Sequence, residues 1–210
     1  MLAALAILVA LGLVARRAPG VVVSGEADTQ PRASPEERLL WLAIHESGHA
    51  VVAWSCPFVG HVSDMFIEPT KPGEAALWQG RVDHDWKEAP PEVRLAWDAI
   101  LALSGLAAET LCLGRVRTLL MRDVDEAVSS ARALCRSGAP WPSVLHAVTP
   151  SPLPFQVRCT GEEERLLRHA WSAACGLVAR ERSRHARLVT EIATRRRLSE
   201  RDLAAILGPR

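Results

Sequence analysis

The chain has 210 residues, 49% of them apolar and 23% charged, with a formal net charge of +1. That is enough apolar sequence for one packed domain with appendages, and too balanced a charge for electrostatic capture of nucleic acid, so no nucleic-acid partner is expected. Five cysteines, odd in number and without a C-x-x-C pair, argue against a disulfide framework or a cysteine zinc site and fit a reducing compartment.

Met1 to Ala15 carry no charged side chain and are followed by Arg16-Arg17. As a helix this run spans about 22 Å, short of the roughly 30 Å hydrocarbon core of a bilayer. Residues 1–17 read as a short membrane anchor. Positive charge just after the apolar run places the remainder of the chain in the cytoplasm, whereas a signal peptide carries its basic residues before it. A soluble cytoplasmic chain with the run buried, and an exported chain with the run as signal, are the alternatives. Residues 18–34, rich in turn formers and without a sustained period, form a linker.

Beyond the linker, residues 35–208 form a domain. Ser34-Pro35-Glu36-Glu37 is a capping box with proline at the first helical position, predicting a helix from about 35 to 54 that Cys56-Pro57 ends. His61 to Glu68 has strand character, although Val62, Met65 and Ile67 do not alternate strictly. A second strand is expected near Ala76 to Val82, with Lys71-Pro72-Gly73 turning between them. Pro90-Pro91-Glu92 opens a long apolar helix stopped by Gly114, and another helix starts at or just before Asp123 and runs to about Cys135. Ser137 to Cys159 is proline-rich, either a functional flap or a disordered segment. Thr160-Gly161-Glu162-Glu163 caps a long helix to about Arg195. Ser199 to Asp202 caps a last one, Arg201 to Leu207, before Gly208. The expected class is mainly α, a helical domain with a small β-hairpin or edge strand and an N-terminal apolar helix.

Inside the first helix lies His45-Glu46-Ser47-Gly48-His49. This H-E-x-x-H spacing puts two imidazoles on one helix face, one turn apart, where both can meet a single zinc ion. Glu46 then serves as general base toward water that the metal acidifies. A catalytic zinc needs a third protein ligand, and the acidic candidates on later helices are Glu109, Asp123, Asp125 and Glu126. Local reasoning leaves Glu109 and Asp123 level. Glu109 sits among small residues, where a buried carboxylate requires a partner, and Asp123 sits at a helix start that favours its ionised form.

Three segments in order resemble the peptidase domain of the FtsH-type membrane-bound, ATP-dependent zinc proteases. They are Ala43 to Ala53 around the motif, Leu103-Ser104-Gly105-Leu106-Ala107-Ala108-Glu109, and Arg122-Asp123-Val124-Asp125-Glu126-Ala127 followed by Ala131-Arg132. The long helix from Glu162 and the closing Leu198 to Leu207 are similar too, so the likeness covers roughly residues 35–208. It implies Zn²⁺ held by His45, His49 and Asp123, with Glu46 as catalytic base and Glu109 orienting a ligand histidine. The implied activity is that of a zinc endopeptidase acting on unfolded protein or peptide, with a homo-oligomer or a separate AAA+ ATPase as partner. Two departures stand out. The sequence has no G-x-x-x-x-G-K-[ST], so it is expected to work without ATP hydrolysis of its own. Arg117 to Arg122 replaces the family's polar, glycine-containing segment before the aspartate. These departures motivate the alternative of a non-catalytic, peptidase-like binding or regulatory subunit of a protease complex. An intramembrane protease is a poor fit, because beyond the N-terminus no set of long apolar spans is present.

Overall fold

The computed structural model describes residues 33–69, 78–116, 121–142, 145 and 151–210. The expected anchor, nearly all of the linker, the Lys71-Pro72-Gly73 turn, residues 117–120 and parts of the proline-rich stretch lie outside them. In chain order the elements are α1 (Pro35–Ser55), β1 (Val59–Pro69), β2 (Trp78–Trp86), α2 (Pro91–Leu113), α3 (Met121–Ser137), α4 (Gly161–Arg180), α5 (Arg182–Arg195), β3 (Arg197–Ser199) and α6 (Glu200–Leu207). The described residues are thus mainly helical, with one small antiparallel sheet ordered β2-β1-β3.

The central element is α1. Its capping box forms as expected: Ser34 Oγ accepts from the Glu37 amide at 3.1 Å, and Glu37 accepts from the Ser34 amide at 2.8 Å. Beyond the first turn its residues are buried almost without break from Leu42 to Trp54, so this helix is surrounded rather than amphipathic. Gly48 lets it touch α2 directly. A Cβ there would lie 2.5 Å from the Ser104 carbonyl oxygen and 2.7 Å from the Ala108 Cβ. The last turn of α1 has no basic residue of its own. Arg210 supplies one, donating to the carbonyls of Ala53 and Cys56 at 3.2 Å while stacking over the Trp54 ring at 5.2 Å.

The broken alternation in β1 has a geometric cause. Against β2, the strand carries extra residues between Val59 and His61 and again between Val62 and Asp64. Each bulge shifts the pleat by one residue, so Val59, Val62 and Met65, three apart, all turn into the core with Ile67. Among the described strands β2 pairs only with β1, which leaves its other edge open. The short β3, Arg197–Ser199, pairs with Asp64 to Phe66 and was not anticipated.

The helix α2 ends at Gly114 with φ of +71°, a left-handed stop that glycine adopts without strain. It is long and apolar enough to cross a membrane, with mean hydropathy 1.4, yet 72% of that stretch is buried inside the protein against α1, α3 and α4. Burial therefore marks it as the core helix of the described residues. Described parts of the proline-rich stretch lie on α4: Trp141 is buried and stacks on His169 at 5.6 Å, and the Ser151 amide donates to Ser172 Oγ at 2.6 Å.

The single long helix expected to about Arg195 is two. Glu181, at φ −93° and ψ 19°, ends α4 and turns the chain so that α5 runs along α1. From α5 the buried His185 donates its Nε2–H to the Ile44 carbonyl at 3.0 Å, leaving Nδ1 facing the Cys112 thiol at 3.9 Å. Burial lowers its pKa from 6.5 to about 4. Between those values the unfolded chain takes up a proton that the folded chain refuses. Stability is therefore intact above about pH 6.5 and lost as pH falls toward 4, by about 3 kcal/mol at full extent. Urea unfolding across that range is expected to show His185→Gln losing this component of the pH dependence. An unchanged slope in the variant would mean that His185 titrates alike in the folded and unfolded chain.

Candidate metal centre

Three separate helices deliver the polar groups. His45, Glu46 and His49 come from successive turns of α1, Glu109 from the end of the buried stretch of α2, and Asp123 from the first turn of α3. His45 Nε2 lies 2.8 Å from Asp123 Oδ2 and 3.0 Å from His49 Nε2, and His49 Nε2 lies 3.5 Å from the same carboxylate oxygen. One ligand atom from each of His45, His49 and Asp123 thus falls in a single cluster. Asp125 and Glu126, the other acidic candidates, are exposed, and Glu126 pairs with Arg122 at 2.9 Å.

The outer nitrogens of both rings are engaged elsewhere. His49 Nδ1 lies 2.8 Å from the Leu101 carbonyl, which can only accept, so this nitrogen carries the hydrogen. His45 Nδ1 meets the fully buried Glu109 carboxylate at 2.7 Å. Both Nε2 atoms consequently point at one place that a carboxylate oxygen also faces, and without metal a proton on His45 Nε2 bridges to Asp123. Once that proton leaves, three convergent electron pairs repel one another unless a metal cation sits among them. Their separations of 2.8 to 3.5 Å bracket the roughly 3.3 Å between tetrahedral ligands at about 2.0–2.1 Å from zinc. The donor set fits a zinc ion.

Protons respond to the same geometry. Burial opposes charging His45, but the hydrogen bonds to Asp123 and Glu109 outweigh it and raise its pKa to about 10. Burial likewise opposes ionising Asp123, and the two imidazoles overcome it, holding the carboxyl well below the usual carboxylate range. Glu46 is 4% exposed, and its burial raises its pKa despite the attraction of His49 and His45. A carboxyl so shifted both takes and returns a proton more readily near neutral pH.

Two glycines make this arrangement possible: Gly105, inside the second family-like segment but given no role there, and Gly80, which no sequence reading singled out. A Cβ at Gly105 would lie 2.5–2.6 Å from the His45 ring atoms, so α2 presents bare backbone to the imidazole. A Cβ at Gly80 would lie 2.4–2.6 Å from the Glu46 side chain, so β2 passes directly over that carboxyl. Beside them opens a cleft of about 860 Å³ between α1, α2, α3 and β2, which Glu46, His49, Asp123, Gly80, His84 and Asp98 help to line. Burial lowers the His84 pKa, keeping that ring neutral at neutral pH. Sequence reasoning also missed His84, Asp98 and Ser104, whose hydroxyl donates to the Leu101 carbonyl at 2.6 Å and sits 3.1 Å from His49 Nδ1. All five cysteines are free, and burial raises Cys112 to about 11 and Cys175 to about 12, so neither is a thiolate nucleophile.

No protein-family model matches the chain. It is similar to the ATP-dependent zinc metalloprotease FtsH of Rhodothermus marinus, at 26% identity over 203 residues, covering 90% of this chain and 29% of that protein. FtsH 2 of Symbiobacterium thermophilum is 29% identical over 203 residues, covering 90% and 33%. FtsH 1 of Salinibacter ruber is 34% identical over 115 residues, covering 54% and 16%. The chain therefore spans a third or less of the length of these curated relatives. At that level of identity, the comparisons relate it to part of the FtsH-named zinc metalloproteases.

Proposed function

We propose that this chain is a zinc-dependent endopeptidase that hydrolyses peptide bonds of unfolded segments, using Glu46 as general base and acid. The observation that carries the reading is the convergence of His45 Nε2, His49 Nε2 and Asp123 Oδ2 next to a buried, proton-avid Glu46 at the edge of an open cleft.

His45, His49 and Asp123 would hold the metal, with Glu109 fixing the orientation of the His45 ring through Nδ1 and the Leu101 carbonyl fixing that of His49. Zinc, when bound, supplies Lewis acidity and brings the acidity of water to near-neutral pH. Glu46 accepts the proton of the attacking water and returns it to the leaving amine. Its burial favours both transfers, and Gly80 keeps the strand close enough to exclude bulk water from one side of the carboxyl. The open edge of β2 offers unpaired backbone groups along the cleft, so an extended polypeptide adds there as a further strand and presents its carbonyl to the site. Only unfolded segments can lie extended in that way. Folded substrates would require delivery by a separate AAA+ ATPase, and a homo-oligomer or a tether through residues 1–17 would place the domain near such a partner.

The direct test is zinc analysis alongside cleavage of a permanently unfolded, labelled protein. The expected result is about one zinc per chain, with cleavage that ends on chelation and returns with added zinc. Zinc bound at that ratio without any cleavage would support a non-catalytic subunit, and absence of zinc would remove the catalytic reading.

A further inference from the structure

Charged groups around the cleft mostly neutralise one another. Arg81 pairs with Asp83 at 2.5 Å and Arg122 with Glu126 at 2.9 Å. Glu46 and Asp123 belong to the reaction centre. Asp98 has no such place. It is half-buried on α2, lines the cleft, and makes no hydrogen bond or ion pair among the described residues. Arg94, one turn before it, attracts it electrostatically while lying over the Trp86 ring at 5.3 Å.

Between His49 and Asp98 the cleft is lined by the apolar side chains of Ala53, Leu101 and Ala102. On α2, Asp98, Leu101 and Ala102 share one face at i, i+3 and i+4. On α1, His49 and Ala53 share another, one turn apart. The Leu101 carbonyl bonds to His49, which fixes the relative level of the two helices. Ala53 and Ala102 both line the cleft beside His49, and Asp98 lies three residues, about 4.5 Å of helix rise, before Leu101, whose carbonyl meets that histidine. An apolar stretch of cleft wall ending at a carboxylate suits a long aliphatic stem carrying a positive head. Burial and Glu126 raise the Asp98 pKa despite Arg94, the direction expected of a carboxylate still lacking a close cation.

We infer that Asp98 is a specificity-determining residue that selects a lysine or arginine side chain of the substrate beside the scissile bond, an inference that rests on the peptidase reading.

The test uses the zinc-loaded full chain and pairs of fluorogenic unstructured peptides that differ only in lysine against norleucine at positions flanking the cleavage point. For the unaltered protein, kcat/KM is expected to favour lysine by about 10- to 100-fold at one position, as charge-assisted contacts do. Asp98→Asn is expected to bring that ratio near one, Asp98→Glu to retain it, and Asp98→Lys to favour glutamate instead. Binding of the same peptides to zinc-loaded Glu46→Gln, followed by anisotropy, supplies a readout independent of turnover. If peptides are cleaved but the lysine preference is absent or unmoved by Asp98→Asn, this inference falls and the peptidase stands. If Glu46→Gln binds lysine peptides in an Asp98-dependent way while the unaltered protein cleaves nothing, the subsite stands and the peptidase falls. Neither cleavage nor binding of any peptide overturns both.

Discussion

Glu46→Gln is expected to retain zinc at the ratio of the unaltered chain and to lose about 10²- to 10⁴-fold in kcat, the range that general acid–base groups supply. The substitution is nearly isosteric, and the site tolerates little else, since the side chain is 4% exposed and lies against Gly80. Glu46 contributes no atom to the cluster of His45, His49 and Asp123, so metal affinity has no reason to fall. What disappears is the group that exchanges a proton. Because burial raises the Glu46 pKa, the acid limb of the pH–kcat profile is expected above the ordinary carboxylate range in the unaltered protein. Zinc loss in Glu46→Gln would show that the carboxyl supports the metal instead. Unchanged turnover would leave the base without a role.

How far the sequence anticipated these features depends on how local each one is. The limits of α1 were legible because a capping box and a proline act within four residues, and the pairing of His45 with His49 was legible because it follows from helical pitch alone. The choice between Glu109 and Asp123 was not. Both are acids on later helices, and what distinguishes them is which nitrogen of His45 each one meets, a fact set by the packing of α1 on α2 and α3. Family likeness chose Asp123 for the inner position before any distance did. Glycines escaped for the same reason. Gly48 lies inside the motif and Gly105 inside the second family-like segment, yet the role of each, like that of Gly80, lies in what approaches it from another element. The bulges of β1 disguised a regular core face as broken alternation, and the turn at Glu181 interrupts a stretch whose helical pattern runs on unbroken.

The second large effect separates the two acids on His45. Asp123→Ala removes one of three convergent donors, and zinc binding is expected to weaken by several orders of magnitude, with peptidase activity lost. Glu109→Ala leaves the Nδ1–H of a fully buried imidazole without its acceptor, a defect that costs roughly 1–3 kcal/mol of stability. Its effect on zinc affinity is expected to be smaller, about 10- to 100-fold, as when an orienting partner is lost. Glu109→Gln, which keeps an accepting oxygen, is expected to recover much of that. The pH dependence gives an independent check. In the metal-free protein His45 is held protonated up to about pH 10, so its contribution to stability is complete below its unfolded pKa of about 6.5 and is lost as pH rises through 10. Zinc must displace that proton, and its apparent affinity is expected to rise about tenfold per pH unit across the neutral range. Competition titration with a chromophoric chelator at several pH values reads both quantities. Should Asp123→Ala keep tight zinc while Glu109→Ala releases it, the carboxylate at Nδ1 rather than the one at Nε2 would be the ligand, and the imidazole would have to turn over to meet it.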